Sequence, residues 1–220
     1  MGTFAFEDPL LYLPRKKVQH FPKDRIVYDP QLPSDSLYVI TMGRVKITTR
    51  ADGGADTIGR IVTTDGLFGE SILVGKTWAE TATTLDSVLA MAWTRDEIEQ
   101  QIEREPRLGI ALSQQMVRHC IELQQRIESM ALLRTPERMM LGLVQLANSL
   151  GTRMNDGSTR IEALTHLTLA EYVGTSREMV TLEMNRLRRL GMIRYSRKHI
   201  DIHIEPMMGV LDGKRSLSTG

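Results

Sequence analysis

The spacing of apolar and polar residues divides the chain into stretches with different rhythms. From Lys23 to about Trp93, short runs alternate apolar and polar residues, and clusters rich in Gly, Pro, Asp and Ser separate them. Alternation with a period of two is typical of strands that bury one face. Many short strands at this spacing predict a small antiparallel β-roll. The clearest runs are 25–28, 36–40, 44–48, 57–62 and 88–93, with turns at 29–30, 33–35, 42–43, 52–54 and 65–66.

A helical rhythm follows the strands. Residues 95–102 predict one helix, and after Pro106 residues 107–130 predict a second, longer one. The longer helix carries a heptad-like stripe over about three heptads, which predicts a homodimer interface of the coiled-coil type. The alternative is that the stripe only covers the β-roll. Its members recur at steps of 4, 3, 4, 4 and 3: Leu112, Met116, His119, Leu123, Ile127 and Met130.

The segment 168–191 predicts two short helices joined by a glycine turn. Thr168 and Thr175 are each followed three residues later by glutamate, the spacing of a capping box, which predicts that the helices begin there. Gly174 stands between them, where a left-handed residue ends the first helix. The second helix has an apolar stripe that must bury against the first: Val180, Met184 and Leu187 against Leu169 and Val173.

Such a helix-turn-helix is a device for placing side chains in the DNA major groove. Arg177 can donate two hydrogen bonds to a guanine, and Glu178 can accept one from a cytosine amine, each discriminating by about 1–3 kcal/mol. The alternative is an ordinary helical hairpin with a solvated charged face. The predicted DNA-contacting residues of the hairpin are Thr168, Ser176, Arg177, Glu178, Thr181, Leu182 and Asn185.

The flanking sequence favours DNA binding over the plain hairpin. Residues 135–138 begin a supporting helix that runs through 139–150 to Gly151. Residues 192–195 and 199–203 alternate in the manner of strands around a basic tip, which predicts a two-stranded wing. Arg197 and Lys198 at that tip are expected to hold phosphates, giving salt-dependent affinity that is blind to sequence.

Composition narrows the class of protein. With 41% hydrophobic and 25% charged residues, the chain has an ordinary soluble globular composition. Its net charge is only +1, but from residue 135 onward 12 Lys+Arg face 9 Asp+Glu, so DNA contact rests on a local patch. No apolar run approaches the ~20 residues of a membrane span, and no signal-peptide pattern opens the chain, so we expect the cytoplasm.

The sequence contains no motif typical of a catalytic or metal-binding site. The single cysteine, Cys120, excludes a four-cysteine iron–sulfur or zinc site within one chain. No nucleophile–base constellation, phosphate loop or metal-ligand spacing is present. We therefore expect no enzyme activity and no metal site.

A roll, a long helix and a winged helix in this order resemble the cyclic-AMP receptor protein / fumarate-nitrate regulator (Crp/Fnr) family of bacterial transcription factors. The resemblance runs from about Phe21 to His203 and is carried by residues 36–40 leading to 43–47, by 67–70 and by 174–180. It implies an α+β fold with an N-terminal antiparallel β-roll like that of cyclic-nucleotide-binding domains. The implied domains are a β-roll sensor at 1–94, a helical dimerisation region and hinge at 95–134, a winged helix-turn-helix at 135–206 and a flexible tail at 207–220.

The resemblance also implies where an effector would bind. In members that bind cyclic AMP (cAMP), a glycine N–H and an Arg-Ser pair hold the phosphate, a glutamate holds the ribose, and a Thr-Ser pair contacts the adenine. Gly69 and Glu70 match, but the Arg-Ser pair falls at Glu80-Thr81 and the Thr-Ser pair at Leu123-Gln124. An anion thus replaces a cation, and two like charges at about 4 Å repel by roughly 4 kcal/mol at an effective dielectric near 20.

We therefore expect a degenerate effector pocket that does not bind cAMP usefully, with Lys76 as the one spare cation nearby. The cysteine cluster of iron–sulfur members is absent. A haem reading would use His119 or Cys120, with His20 as a second ligand. A non-cAMP metabolite such as a keto acid is a further alternative, as is DNA binding without any effector.

Family members that read GTGA-type half-sites use an Arg-Glu pair and a second arginine one helical turn later. Arg177 and Glu178 match the pair, whereas Leu182 replaces the second arginine and can only pack on a thymine methyl group. The resemblance implies a homodimer that reads an inverted repeat in promoter DNA, with half-sites about one turn apart. Residues 152–160 are expected to form an exposed loop, at the position where family activators touch RNA polymerase, and a plain surface turn is the alternative.

Overall fold

The computed structural model describes residues 7–50, 56–74 and 79–218, with side chains described through residue 213. The turn expected at 52–54 and Lys76 lie outside these ranges. The chain divides into two compact units, Met1–Gln125 and Arg126–Gly220.

In the described part of the first unit, eight strands form two four-stranded antiparallel sheets. One sheet has the order β1-β8-β3-β6 and the other the order β2-β7-β4-β5. All five predicted strands are present, and the α+β class with an antiparallel roll is confirmed. The strands are β1 (Gln19–Phe21), β2 (Ile26–Tyr28), β3 (Ser36–Met42), β4 (Val45–Arg50), β5 (Asp56–Val62), β6 (Leu67–Phe68), β7 (Glu80–Thr84) and β8 (Val88–Thr94).

Strand β3 is buried on both faces, which explains its nearly continuous apolar run. Because neighbouring side chains point to opposite faces, Tyr38 and Ile40 join the core between the two sheets. Leu37 and Val39 join a second core with the N-terminal segment and the helices that follow the roll.

Two helices follow the roll: α1 (Arg95–Arg104) and α2 (Arg107–Leu132). Thr94 caps α1, since its hydroxyl accepts from the backbone N–H of Glu97 while the Glu97 carboxylate accepts from that of Thr94. Leu108 and Leu112 of α2 are buried in the second core. The boundary between the two units falls within α2.

The second unit combines four further helices with one four-stranded sheet of order β11-β12-β10-β9. The expected supporting helix and helix-turn-helix are present, and all three packing residues of the second short helix are buried. The elements are α3 (Thr135–Leu150), β9 (Thr152–Arg153), β10 (Thr159–Glu162), α4 (His166–Val173), α5 (Arg177–Arg189), β11 (Ile193–Tyr195), β12 (His199–Ile202) and α6 (Ile204–Ser218).

Three local expectations are corrected in this unit. Residues 152–160 are not a plain loop, because β9 and β10 pair there as a hairpin. The wing is not limited to two strands, because β12 also pairs with β10. The predicted flexible tail at 207–220 is helical as far as Ser218. This helix, α6, packs against α3 and buries Met207 and Leu211.

The docking of α6 should therefore contribute to the stability of the second unit. The M207A substitution removes a side chain that is 0% exposed, and we expect it to lower the free energy of unfolding by about 2–5 kcal/mol. Val210 on the same helix is 36% exposed, so V210A should change it by no more than about 0.5 kcal/mol. Urea unfolding of the two variants measures the difference, and equal values would mean that α6 does not dock.

Candidate DNA-reading head and β-roll pocket

The two helices of the hairpin begin at other residues than the capping-box spacing predicted. The hydroxyl of Thr165 accepts from the backbone N–H of Thr168 at 3.0 Å, so α4 begins three residues earlier. Ser176, not Thr175, caps α5 by accepting from the N–H of Met179 at 3.3 Å. Thr168 therefore lies inside α4 and is only 7% exposed. The expectation that it contacts DNA is corrected for that reason.

Gly174 ends α4 as predicted. Its φ of +73° is left-handed, and its N–H donates to the carbonyl of Ala170. Leu169 and Val173 of α4 are buried, in line with the predicted packing against the apolar stripe of α5.

The outer face of α5 carries the predicted reading residues. Arg177, Glu178, Thr181 and Leu182 are exposed, and Asn185 is half-buried. Hydrogen bonds from its own backbone N–H and from the Ser176 hydroxyl hold the pKa of Glu178 below its usual range. The carboxylate is thus ionised at neutral pH and can accept from a base amine.

Two side chains that the sequence did not single out contact predicted reading residues. Nδ1 of His166, at the start of α4, lies 2.8 Å from the Thr181 hydroxyl, which itself donates to the Arg177 carbonyl. The Tyr195 hydroxyl on the wing donates to the Asn185 side-chain oxygen at 3.3 Å. An aromatic residue at the base of a wing was the available signal for the second contact.

The wing separates paired cations from unpaired ones. Arg160 makes two hydrogen bonds to Asp201, at 2.6 and 3.0 Å, and Arg194 pairs with Asp156. Arg197 and Lys198 at the tip are exposed, and neither side chain forms an ion pair with any residue that the structure describes. Among the described residues of the sheet, exposed cations without an ion pair therefore lie at the tip and, on β9, at Arg153.

We call the position of the expected effector site, at Gly69, Glu70, Glu80 and Thr81, the β-roll pocket, and it contains a cation that the sequence analysis missed. Arg60 on β5 donates from Nη2 to both carboxylate oxygens of Glu70, at 2.6 and 2.5 Å. The expectation that named Lys76 as the one spare cation nearby therefore overlooked Arg60. Gly69 has a φ of +86°, and a Cβ there would lie 2.5 Å from the Ser36 carbonyl oxygen, so the position admits no side chain.

Glu80 lies in the same pocket as Arg60 and Glu70. Burial raises the pKa of Glu80, Glu70 adds to the rise, and a hydrogen bond from Tyr28 at 2.8 Å opposes it. The neighbouring Thr81 is half-buried, and its carbonyl lies 3.4 Å from the Thr48 hydroxyl.

The exposed apolar face of α2 differs from the predicted stripe. Leu112 is 5% exposed and packs in the second core. The expectation that it belongs to the dimer interface is therefore corrected. Met116 and His119 are half-buried, and Leu123, Gln124, Ile127 and Met130 are exposed. A different row is exposed at Ile110, Val117 and Ile121, at 53%, 59% and 51%. It borders an open cleft of about 870 Å³.

The candidate haem ligands have ordinary surroundings. His20 lies 2.9 Å from the Ser87 hydroxyl, and Cys120 is exposed on α2. Burial first, and then the Arg60 charge, lower the pKa of His119.

Comparison with known proteins places this architecture. Residues 18–105 match the cyclic nucleotide-binding domain family, and residues 137–207 match the Crp-like helix-turn-helix domain family. The transcriptional regulator SdrP of Thermus thermophilus is 31% identical over 166 residues, 74% of this chain and 76% of that protein. A CRP-like cAMP-activated global transcriptional regulator of Mycobacterium tuberculosis is 29% identical over 181 residues, 82% of this chain and 81% of its own.

A solved structure agrees with these relatives. The crystal structure of a CRP/FNR-family transcriptional regulator from Thermus thermophilus covers 89% of this chain and 98% of its own, with 26% identity and a TM-score of 0.73. The fold and the matched domains together define a transcription regulator with a DNA-binding helix-turn-helix. The chain belongs to the Crp/Fnr family, whose members are regulators and not enzymes, as expected. Among the described residues, no helix is long and apolar enough to span a membrane.

The corrected cap of α5 can be tested directly. S176A removes the hydroxyl that accepts from Met179, and we expect it to lower the free energy of unfolding by about 0.5–2 kcal/mol. T175A, one residue earlier, should have little effect because Thr175 does not cap the helix. Thermal unfolding of the two variants decides between the caps, and a larger loss in T175A would restore the original prediction.

Proposed function

We propose that this chain is a homodimeric regulator that binds an inverted-repeat site in promoter DNA, in the cytoplasm, without needing cAMP. The observation that carries the DNA-reading part is the first turn of α5. Arg177 and Glu178 are exposed there, while Val180, Met184 and Leu187 of the same helix are buried. Recognition helices contact base edges with their N-terminal residues, so this pair stands where reading occurs.

The exposed row on α2 supports a homodimer. Ile110, Val117 and Ile121, with Gln114 between them, recur at steps of 4, 3 and 4, the spacing of a coiled-coil seam. An apolar row of this kind is stabilised by burial against another such row, and a second copy provides an identical one. A two-fold dimer would present two copies of α5 to half-sites about one DNA turn apart.

The reading residues suggest a sequence preference. Arg177 suits a guanine and Glu178 a cytosine amine, whereas Leu182, 54% exposed, suits a thymine methyl group. The hydroxyl of Thr181 already donates to the Arg177 carbonyl, so towards a base it can act only as an acceptor. We expect the G·C contacts of Arg177 and Glu178, at the inner positions of the half-site, to be retained. Specificity at the outer position, which Leu182 faces, should be relaxed.

The pocket chemistry supports independence from cAMP. The phosphate position holds Glu80, and the nearby Arg60 is already bound to Glu70. A nucleotide phosphate would therefore meet the Glu80 carboxyl group, with no free arginine fork to bind it. The mycobacterial relative is named as cAMP-activated, and this chain departs from the cAMP-binding pattern at these positions.

An effector of another kind is the second candidate function. The half-buried His119, in the field of Arg60 and Glu70, is the observation that favours a metabolite or haem sensor. Haem would require His119 or Cys120 with His20, and purified protein would then show a Soret band. If the protein activates transcription, the β9–β10 hairpin at 152–160 is our proposed contact for RNA polymerase.

DNA selection with purified protein tests the reading residues. The wild-type chain should enrich an inverted repeat from random duplexes, and R177A should bind that duplex about 1–3 kcal/mol more weakly through one base position. K198A is the matched control for a phosphate contact. It should weaken all sequences alike and reduce the slope of log K against log salt by about 1. An unchanged footprint with R177A would contradict the proposal.

Matched charge substitutions test the dimer seam. I121E would place a carboxylate inside the proposed interface in both copies, so we expect the dimer dissociation constant to rise at least about 100-fold. Ile127 is also exposed, 68%, but lies six residues on and so about 240° around the helix, so I127E should leave the dimer intact. Light scattering measures both variants. Dissociation by I127E alone would favour the stripe first predicted.

A further inference from the structure

In the β-roll pocket, side chains of the roll form an ion pair with each other. Arg60 lies on β5 and Glu70 directly after β6, and these strands are edge strands of the two different sheets. Their ion pair therefore joins the two sheets at one edge of the roll. The side chains are only 18% and 12% exposed, so the pair is largely removed from water.

The guanidinium of Arg60 depends on Glu70. Its Nε is buried and has no hydrogen-bond partner among the described residues, and its Nη2 donates to both carboxylate oxygens of Glu70. A buried cation without its anion is strongly unfavourable, and the same holds for the anion. Each of the two therefore fixes the position of the other.

The rest of the pocket follows the same principle. Tyr28 donates to Glu80 at 2.8 Å, so this second acid also has a partner within the roll. On α2, the charges of Arg60 and Glu70 act in opposite directions on the pKa of His119, after burial, which lowers it. His119 belongs to the helix that we propose as the dimer interface.

We propose that Arg60 is a built-in ligand of the β-roll, whose guanidinium, held by Glu70, maintains the DNA-binding form that a diffusible effector would otherwise have to induce. The inference rests on the proposed function and deepens its independence from cAMP. It makes Arg60 a positioning residue, which acts on DNA binding through Glu70 and α2.

The test compares R60A with R50A. Arg50 also pairs with a carboxylate of the roll, Asp56 at 3.0 Å, but its side chain is 74% exposed. Affinity for the duplex selected by the wild-type protein is measured by fluorescence anisotropy, with and without cAMP. We expect wild type and R50A to bind equally with or without cAMP, and R60A to bind at least about tenfold more weakly while remaining dimeric.

Chemical rescue separates a ligand role from a general loss of stability. Methylguanidinium at millimolar concentration should fill the site emptied in R60A and restore most of its DNA affinity. It should not change the affinity of R50A or of wild type. R60A binding within twofold of wild type, or a folded R60A that methylguanidinium leaves unrescued, would overturn the inference.

A double variant keeps the test decisive if R60A does not fold. R60M/E70Q has a similar side-chain volume and leaves no buried ion without its partner, so its unfolding temperature should stay near that of wild type. The inference still expects at least about tenfold weaker DNA binding, and wild-type affinity would overturn it. A wild-type chain that binds DNA only with cAMP would instead refute the proposed function, whatever the Arg60 variants show.

Discussion

Burial of Val180, Met184 and Leu187 fixes the rotation of α5 about its own axis, and the surface that we propose reads DNA depends on that rotation. These side chains are 0–1% exposed and pack against α3, α4 and β11. Since each residue turns a helix by about 100°, burial of this row leaves Arg177 and Leu182 facing outward. Apolar packing, and not charge, thus decides which side chains can meet a base. Gly174 makes the packing geometrically accessible, because its left-handed turn lets α4 and α5 meet.

Strong periodicity predicted most of the architecture. The five predicted strands, the helices α1 and α2 and the helix-turn-helix are all present. Their apolar rows coincide with buried faces. Strand β7 was not predicted, because it reads Glu-Thr-Ala-Thr-Thr and its buried Thr84 is satisfied by backbone carbonyls of Pro22 and Arg25. Helix α6 resembled a tail because just two of its described side chains, Met207 and Leu211, are buried.

The site was less predictable, because its details depend on tertiary contacts. Thr175 and Ser176 are adjacent hydroxyl residues, and local sequence cannot decide which of them caps a helix. Helix α2 has two apolar rows, so periodicity alone did not reveal that Leu112 covers the roll while Val117 is exposed. The Arg60–Glu70 pair joins edge strands of two sheets, and no local spacing signals such a pairing.

The distribution of paired arginines explains how a chain of net charge +1 can present a basic surface where DNA is read. Asp201 and Asp156 neutralise Arg160 and Arg194 on the wing sheet, and Arg160 lowers the pKa of Asp201, so that acid remains ionised at neutral pH. Among the described residues of this sheet, the exposed cations without an ion pair are then Arg197 and Lys198 at the tip and Arg153 on β9. Non-specific attraction to phosphate grows with the number of cations that contact it. Pairing the framework arginines therefore limits that attraction and leaves a larger share of the binding free energy to residues such as Arg177, which we propose to distinguish one base from another.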